Sequence, residues 1–132
     1  MKKLIIFFGL FTILAATTCK KVDINTNPPE SGAARLRVEN STPFRIDSCY
    51  INPGTWNTGH HYGPINVNDI TDYHGFDSVY HYGYIKVKMN NKIYQLVPID
   101  YMGETPFRFG MFTYKISYLP ATDRLNLEFR RD

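Results

Sequence analysis

The sequence predicts an all-β protein: a single antiparallel β-sandwich of seven or eight strands over residues 34–132. From Ala34 onward, apolar and polar residues alternate with a period of two, which is typical of strands with one buried face. Glycine, proline, asparagine and aspartate recur at roughly ten-residue intervals and predict short strands joined by turns. After residue 33 no stretch has the periodicity of a helix.

The first two predicted strands lie between residues 34 and 51. Leu36 and Val38 alternate with charged residues, and residues 40–43 form a turn. The second strand, residues 44–51, changes its apolar phase near Ser48, which indicates an irregularity. Its cysteine, Cys49, is predicted to be a small buried residue.

The middle of the chain carries weaker signals. Residues 52–64 are rich in glycine, asparagine and histidine and are predicted to form a loop that contains Trp56. Short strands are expected around residues 65–67 and 71–76.

Two hairpins are predicted in the last third of the chain. Asn90-Asn91 tolerates positive φ, so a two-residue turn there pairs Val87 with Tyr94 and Ile85 with Leu96. Pro98 lacks the N–H that a central strand needs, so this strand should end there or lie at an edge. The second hairpin turns at residues 119–124 and places its apolar residues on one face.

The N-terminus predicts export from the cytoplasm. Lys2 and Lys3 precede the apolar residues 4–16, a run shorter than the roughly 20 residues that span a bilayer as a helix. Small residues then lead to Cys19, an arrangement that resembles the lipobox of bacterial lipoproteins. The resemblance implies that residues 1–18 are a signal peptide and that Cys19 carries lipid, palmitate included. An ordinary secretory signal and an uncleaved anchor are the alternatives.

Residues 19–33 have the composition of a flexible tether, rich in asparagine, proline, serine and glycine. Lys20 stands where many lipoproteins retained in the inner membrane of Gram-negative bacteria have aspartate. By that resemblance we expect a lipid anchor in the outer membrane, on either its periplasmic or its surface face.

A second resemblance concerns the fold. Residues 107–116 are similar to the loop and strand of prealbumin-like and carboxypeptidase-regulatory-like sandwich domains, with Gly110 at the place of their glycine and Phe109 at that of their proline. In outline, the whole chain resembles small envelope lipoproteins of the Bacteroidetes type. Together the two resemblances imply an Ig-like or prealbumin-like sandwich.

Charge and motifs exclude several classes of function. Without Lys2 and Lys3 the formal charge falls from +3 to +1, and no basic run exceeds two residues, so we predict no nucleic-acid partner. The chain has no Gly-x-Ser-x-Gly elbow, phosphate-binding glycine loop or His-Glu-x-x-His motif. We therefore predict a protein that is not an enzyme and needs no cofactor.

Side chains that could bind a ligand cluster in the middle of the chain. Trp56 and several tyrosines offer flat apolar faces to a carbohydrate, and these tyrosines are Tyr62, Tyr73, Tyr80 and Tyr82. The weaker candidates for metal ligands are His60, His61, His74 and His81, although no spacing among them is a recognised metal motif, so we predict no metal site. Asp77-Ser78-Val79 resembles the O-glycosylation acceptors of Bacteroidetes envelope proteins.

Together these features predict a lipid-anchored, non-catalytic binding or structural module of the bacterial envelope that contacts another envelope protein. The alternatives are a carbohydrate-binding lipoprotein and a histidine-based metal-binding accessory protein. An exposed apolar edge near residues 98–106, or around the loop of residues 52–64, would favour a protein partner. A shallow groove lined by Trp56 and several tyrosines would favour a glycan, and convergence of three histidines would favour a metal.

Overall fold

The computed structural model describes residues 34–54 and 59–132. The predicted signal peptide, Cys19, the tether and Trp56 lie outside the described residues. The described chain is all-β, as predicted, and its eight strands are β1 (Ala34–Asn40), β2 (Ile46–Asn52), β3 (His60–Tyr62), β4 (His74–Phe76), β5 (Tyr84–Met89), β6 (Lys92–Leu96), β7 (Gly110–Leu119) and β8 (Arg124–Arg131).

The strands form two four-stranded sheets around one core. The first, sheet A, has the order β4-β1-β7-β8, and the second, sheet B, has the order β3-β2-β5-β6. Apolar side chains of both sheets form one buried cluster, with Phe112 and Tyr114 of sheet A among its largest members. Burial of this alternating apolar face is the main stabilising term of the fold.

One pair of strands contradicts the prediction of a purely antiparallel sandwich. β1 runs parallel to β7, from Ala34 opposite Gly110 to Asn40 opposite Ile116, whereas the other strand pairs are antiparallel. Alternation predicts which face of a strand is buried, but it carries no information on the direction of a neighbour far away in the sequence.

The first predicted hairpin is confirmed in register and in turn. β5 and β6 pair Val87 with Tyr94 and Ile85 with Leu96. Asn90 and Asn91 both have positive φ, of 48° and 59°, as a two-residue turn of this kind requires. β6 ends before Pro98 and is the edge strand of sheet B, as expected.

The second hairpin and the irregularity in β2 are also confirmed. β7 and β8 pair from Phe112 opposite Arg131 to Leu119 opposite Arg124. In β2 the register shifts between Ile46 and Ser48, where the apolar phase changes.

The middle of the chain differs from the prediction in two places. β3 lies within residues 52–64, which were predicted as a loop, and Ile65 makes a single bridge to Ile46 in place of a strand. Three residues are too few to show a clear alternation of apolar and polar side chains. The sequence pattern therefore neither indicated β3 nor distinguished the single bridge at Ile65 from a short strand.

Buried polar groups in the core have partners. The Tyr62 hydroxyl donates to the Leu36 carbonyl at 2.7 Å, and the Tyr114 hydroxyl donates to the Tyr80 carbonyl at 2.6 Å.

Cys49 is fully buried in β2, as predicted, and burial raises the pKa of its thiol to about 12. A thiol with that pKa is almost entirely protonated at neutral pH and is a poor nucleophile.

Candidate functional site

An apolar groove lies on the side of the sandwich where the edge strands β6 and β8 approach each other. Its volume is about 560 Å³. It is lined by residues 96–100, residues 125–127, Tyr82 and Gly83. Apart from Asp100 and Asn126, the side chains in this lining are apolar or aromatic, so the groove suits a predominantly apolar ligand or side chain.

The segment that follows β6 adds exposed apolar side chains next to this groove. Val97 is 65% exposed, Ile99 is 99% exposed and Met102 is 87% exposed. Val97 and Ile99 belong to the groove lining, so the groove and the exposed residues form one surface, which we call the β6–β8 surface. Exposed apolar patches of this kind mark binding sites in soluble domains.

Three tyrosines form a stack beside the β6–β8 surface. The rings of Tyr82 and Tyr101 are nearly parallel, 9° apart with centroids separated by 5.5 Å, and Tyr80 lies 4.2 Å from Tyr101. The Tyr82 hydroxyl donates to the carbonyl of Asp100 at 3.1 Å. The Tyr80 carbonyl accepts the hydroxyl of buried Tyr114, so the stack is fixed to the core.

A polar network around Asp123 joins the two sheets on the same side. The Asp123 carboxylate accepts hydrogen bonds from Tyr118 at 2.8 Å, from Tyr94 at 2.9 Å and from the Lys92 ammonium at 3.1 Å. These bonds, that of Tyr118 first, lower the pKa of Asp123, and the bond to Asp123 raises the pKa of Tyr118 to about 12. Because Lys92 and Tyr94 lie on β6 while Tyr118 lies on β7, the network links sheet B to sheet A at an exposed site.

We expect Asp123→Asn to destabilise the protein at neutral pH and to have progressively less effect in acid. Asparagine tolerates the φ of 50° at this turn, so the backbone is kept, while the substitution removes the charge and replaces one acceptor oxygen by an amide donor. A carboxyl whose pKa is lowered in the folded state stabilises it above the unfolded pKa of about 3.9 and loses that effect as pH falls through the folded pKa.

Urea unfolding of both proteins at several pH values checks this. The difference in stability should be constant from about pH 8 to 5 and should shrink below about pH 4. Asp47→Asn is the control, since the ion pair of Asp47 within residues 34–54 and 59–132 is an exposed one with Arg45 at 3.7 Å. A difference for Asp123→Asn that does not change with pH would contradict this explanation.

The opposite side of the sandwich carries three of the four histidines. His60 and His74 stack with their ring centroids 3.6 Å apart and their planes 9° apart, and both line a polar groove of about 400 Å³ with His61. A histidine nitrogen binds a metal ion that lies in the plane of its own ring. Because the planes of His60 and His74 are nearly parallel and do not meet near the rings, the two side chains do not share an ion in this arrangement. His81 lies elsewhere, with its ring 4.8 Å from Phe129.

Within residues 34–54 and 59–132, no group of three or more histidine, cysteine or acidic side chains is placed to hold a metal ion. The same residues include no helix long and apolar enough to cross a membrane.

The structure does not bring the predicted carbohydrate-binding tyrosines together. Tyr80 and Tyr82 lie beside the β6–β8 surface, but Tyr62 is buried under β1. Tyr73 lies on the histidine side, where the Arg37 guanidinium stacks on its ring at 4.6 Å. Ser78, the predicted O-glycosylation acceptor, is half-buried.

Comparison with known proteins finds a structure with a similar fold but no matching family. No protein-family model matches the chain, and no curated protein matches it significantly. The NMR structure of a protein from Eubacterium rectale is similar, with a TM-score of 0.54 and 11% sequence identity over 77% of this chain and 92% of that one. At this identity the similarity concerns the fold alone.

The residues of β8 that line the groove were not predicted as site residues. Leu125 and Leu127 look like ordinary inward-facing strand residues, and their place beside Leu96 depends on which strands end the two sheets. The exposed apolar segment had a sequence signal, because residues 98–106 were expected to favour a protein partner if they formed an apolar edge.

Proposed function

We propose that this chain is a lipid-anchored, non-catalytic binding module of the bacterial envelope, and that it binds another envelope protein through the β6–β8 surface. The observation that carries the proposal is the continuity of the groove with exposed Val97 and Ile99. Such side chains contribute free energy of association by leaving water, and Ile99 has the most apolar surface left to bury.

Of the two finer fold classes, we propose the prealbumin-like one. In the immunoglobulin order, the first two strands are neighbours in one sheet, whereas β1 and β2 lie in different sheets here. Gly110 also supports the prealbumin-like class. Its φ of 118° is a conformation that favours glycine, and it stands at the start of β7, within residues 107–116, where the sequence resembles prealbumin-like domains.

Photo-crosslinking in the cells that make the protein tests the proposed partner surface. A photoreactive phenylalanine derivative at position 99 should give a crosslinked product with one discrete envelope protein. The matched control is position 93, because Ile93 is also an exposed isoleucine at 60% but lines a different groove with Lys88. Absence of a product at position 99, or the same product from both positions, would contradict the proposal.

Lipidation of Cys19 is a separate prediction. Cells fed with labelled palmitate should incorporate the label into the wild-type chain, and Cys19→Ala should abolish it. The control is Cys49→Ala, which removes the buried cysteine and should keep the label. An unlabelled wild-type chain, or a label that survives Cys19→Ala, would contradict lipid anchoring at this residue.

Carbohydrate binding is the second candidate function, and the Tyr82–Tyr101 pair supports it. Parallel aromatic rings beside the side chains of Asp100 and Asn126 provide an apolar face with polar groups at its margin. On an array of bacterial glycans, binding that is lost in Tyr82→Ala would favour this function, and no binding would leave the protein partner as the better proposal.

A further inference from the structure

We propose that the stacked rings of His60 and His74 are a pH-sensitive latch, which holds β3 against the sandwich at neutral pH and releases it when both rings are protonated. The rings belong to the edge strands of opposite sheets, because β3 ends sheet B and β4 ends sheet A. Their centroids are 3.6 Å apart. The stack therefore joins the two sheets on the side away from β6 and β8.

Strand β3 has few other attachments in the described part of the chain. It is three residues long, pairs with β2, and contributes one buried side chain, Tyr62, whose hydroxyl donates to Leu36. β4 is equally short and pairs with β1. Short edge strands with few buried contacts are the segments that open most easily. The ring of His61 also contacts that of Tyr50 at 4.8 Å, so the histidine stack is one of several contacts that retain β3 and the one that ties it to sheet A through β4.

The surroundings provide little to neutralise a doubly protonated pair. The titratable and charged side chains on the elements around it are Arg35, Arg37 and Glu39 of β1, Asp47, Cys49 and Tyr50 of β2, His61 and Tyr62 of β3, Asp72 and Tyr73 before β4, and Asp77 after it. Asp47 pairs with Arg45. Arg37 is engaged with Tyr73 and Asp132. Within residues 34–54 and 59–132, the one ion pair that includes a histidine joins His81 to Glu104. Neither stacked ring therefore has a carboxylate within salt-bridge distance there.

The direction of the pH effect follows from this arrangement. Burial, with His74 and His61 next to it, lowers the pKa of His60, so the closed latch binds fewer protons than the open one. In the open form the His60 ring regains the ordinary pKa of about 6.5. The closed form is thus favoured above that pH and is lost as the pH falls below it.

Cys49 provides a readout within the chain itself. It lies opposite Tyr62 in the pairing of β2 with β3 and is fully buried. The sequence has two cysteines, so the full chain with Cys19→Ala leaves Cys49 as its sole thiol. When β3 is released, β2 becomes the edge of sheet B and Cys49 becomes accessible to dithiodipyridine.

We define the protection of Cys49 as the rate at which dithiodipyridine reacts with the urea-unfolded chain, divided by its rate with the folded chain at the same pH. This ratio removes most of the effect of pH on the reactivity of the thiol itself. We expect protection at least tenfold lower at pH 5 than at pH 8, with most of the near-ultraviolet circular dichroism spectrum retained because the rest of the core stays packed. His74→Phe keeps a ring against His60 but cannot accept the second proton, so its loss of protection at pH 5 should be clearly smaller than that of the wild type, with the part due to burial of His60 remaining. His81→Phe, away from the latch, should retain the tenfold change.

Three results would overturn the proposal. Protection could be equal at pH 5 and pH 8, the loss at pH 5 could be as large in His74→Phe as in the wild type, or the near-ultraviolet spectrum could collapse at pH 5, which would indicate global unfolding. If His74→Phe does not fold at pH 8, His60→Phe provides the same comparison, because it also leaves one protonatable ring in the stack.

Discussion

Asn40→Ala should lower the free energy of unfolding by at least about 3 kcal/mol, because it leaves several buried polar groups without partners at once. The Asn40 side chain is fully buried at the end of β1. Its amide donates to the carbonyls of Phe44, Ile65 and Asn66 at 2.9, 3.0 and 3.1 Å. Its oxygen accepts from the N–H and the hydroxyl of Thr42 at 3.0 and 2.8 Å. Each buried group left unsatisfied costs about 1–3 kcal/mol.

Urea unfolding measures this effect, and Asn126→Ala is the matched control. Asn126 is exposed, and its amide has a long hydrogen bond of 3.4 Å to Ser117, so its loss should change stability by less than about 0.5 kcal/mol. A loss below about 1 kcal/mol for Asn40→Ala would mean that water or a rearranged turn replaces these bonds.

Phe112→Ala should lower the free energy of unfolding by about 3–5 kcal/mol, the usual cost of removing a buried phenyl ring. Phe112 is fully buried, and its ring lies 5.0 Å from Phe107 and 5.3 Å from Phe129. Its removal leaves a cavity between β7, β8 and the segment before β7, because Phe129 of β8 and Phe107 before β7 pack against the Phe112 ring.

The matched control is Phe109→Ala, three residues away. Phe109 is 65% exposed, so its truncation should cost less than about 1 kcal/mol. Equal losses for the two variants in urea unfolding would contradict the assignment of Phe112 to the core.

The local features of the fold were predictable because each depends on a few neighbouring residues. The Asn90-Asn91 turn determines the register of β5 and β6, and the shifted alternation at Ser48 predicts the irregularity in β2. The parallel pairing of β1 with β7 was not predictable, because it joins segments more than 70 residues apart and leaves no local signature.

The candidate site was predictable only in part, for the same reason. Residues 98–106 were named as one of two places where an exposed apolar edge would favour a protein partner. That β8 forms the other wall of the groove became known only from the sheet order. Asn40 was assigned to a turn from its type alone, and nothing in the sequence indicated that its side chain would be buried among five hydrogen bonds.

The most direct test of the account is the affinity of the purified protein for the envelope protein that crosslinks at position 99, measured by isothermal titration. Val97→Asp and Ile99→Asp should each weaken binding at least tenfold, since a carboxylate in an apolar interface loses hydration without gaining a partner. Ile93→Asp, the same kind of change on the outer face of β6, should bind as the wild type does. Wild-type affinity in both β6–β8 variants would contradict the proposal that this surface is the binding site.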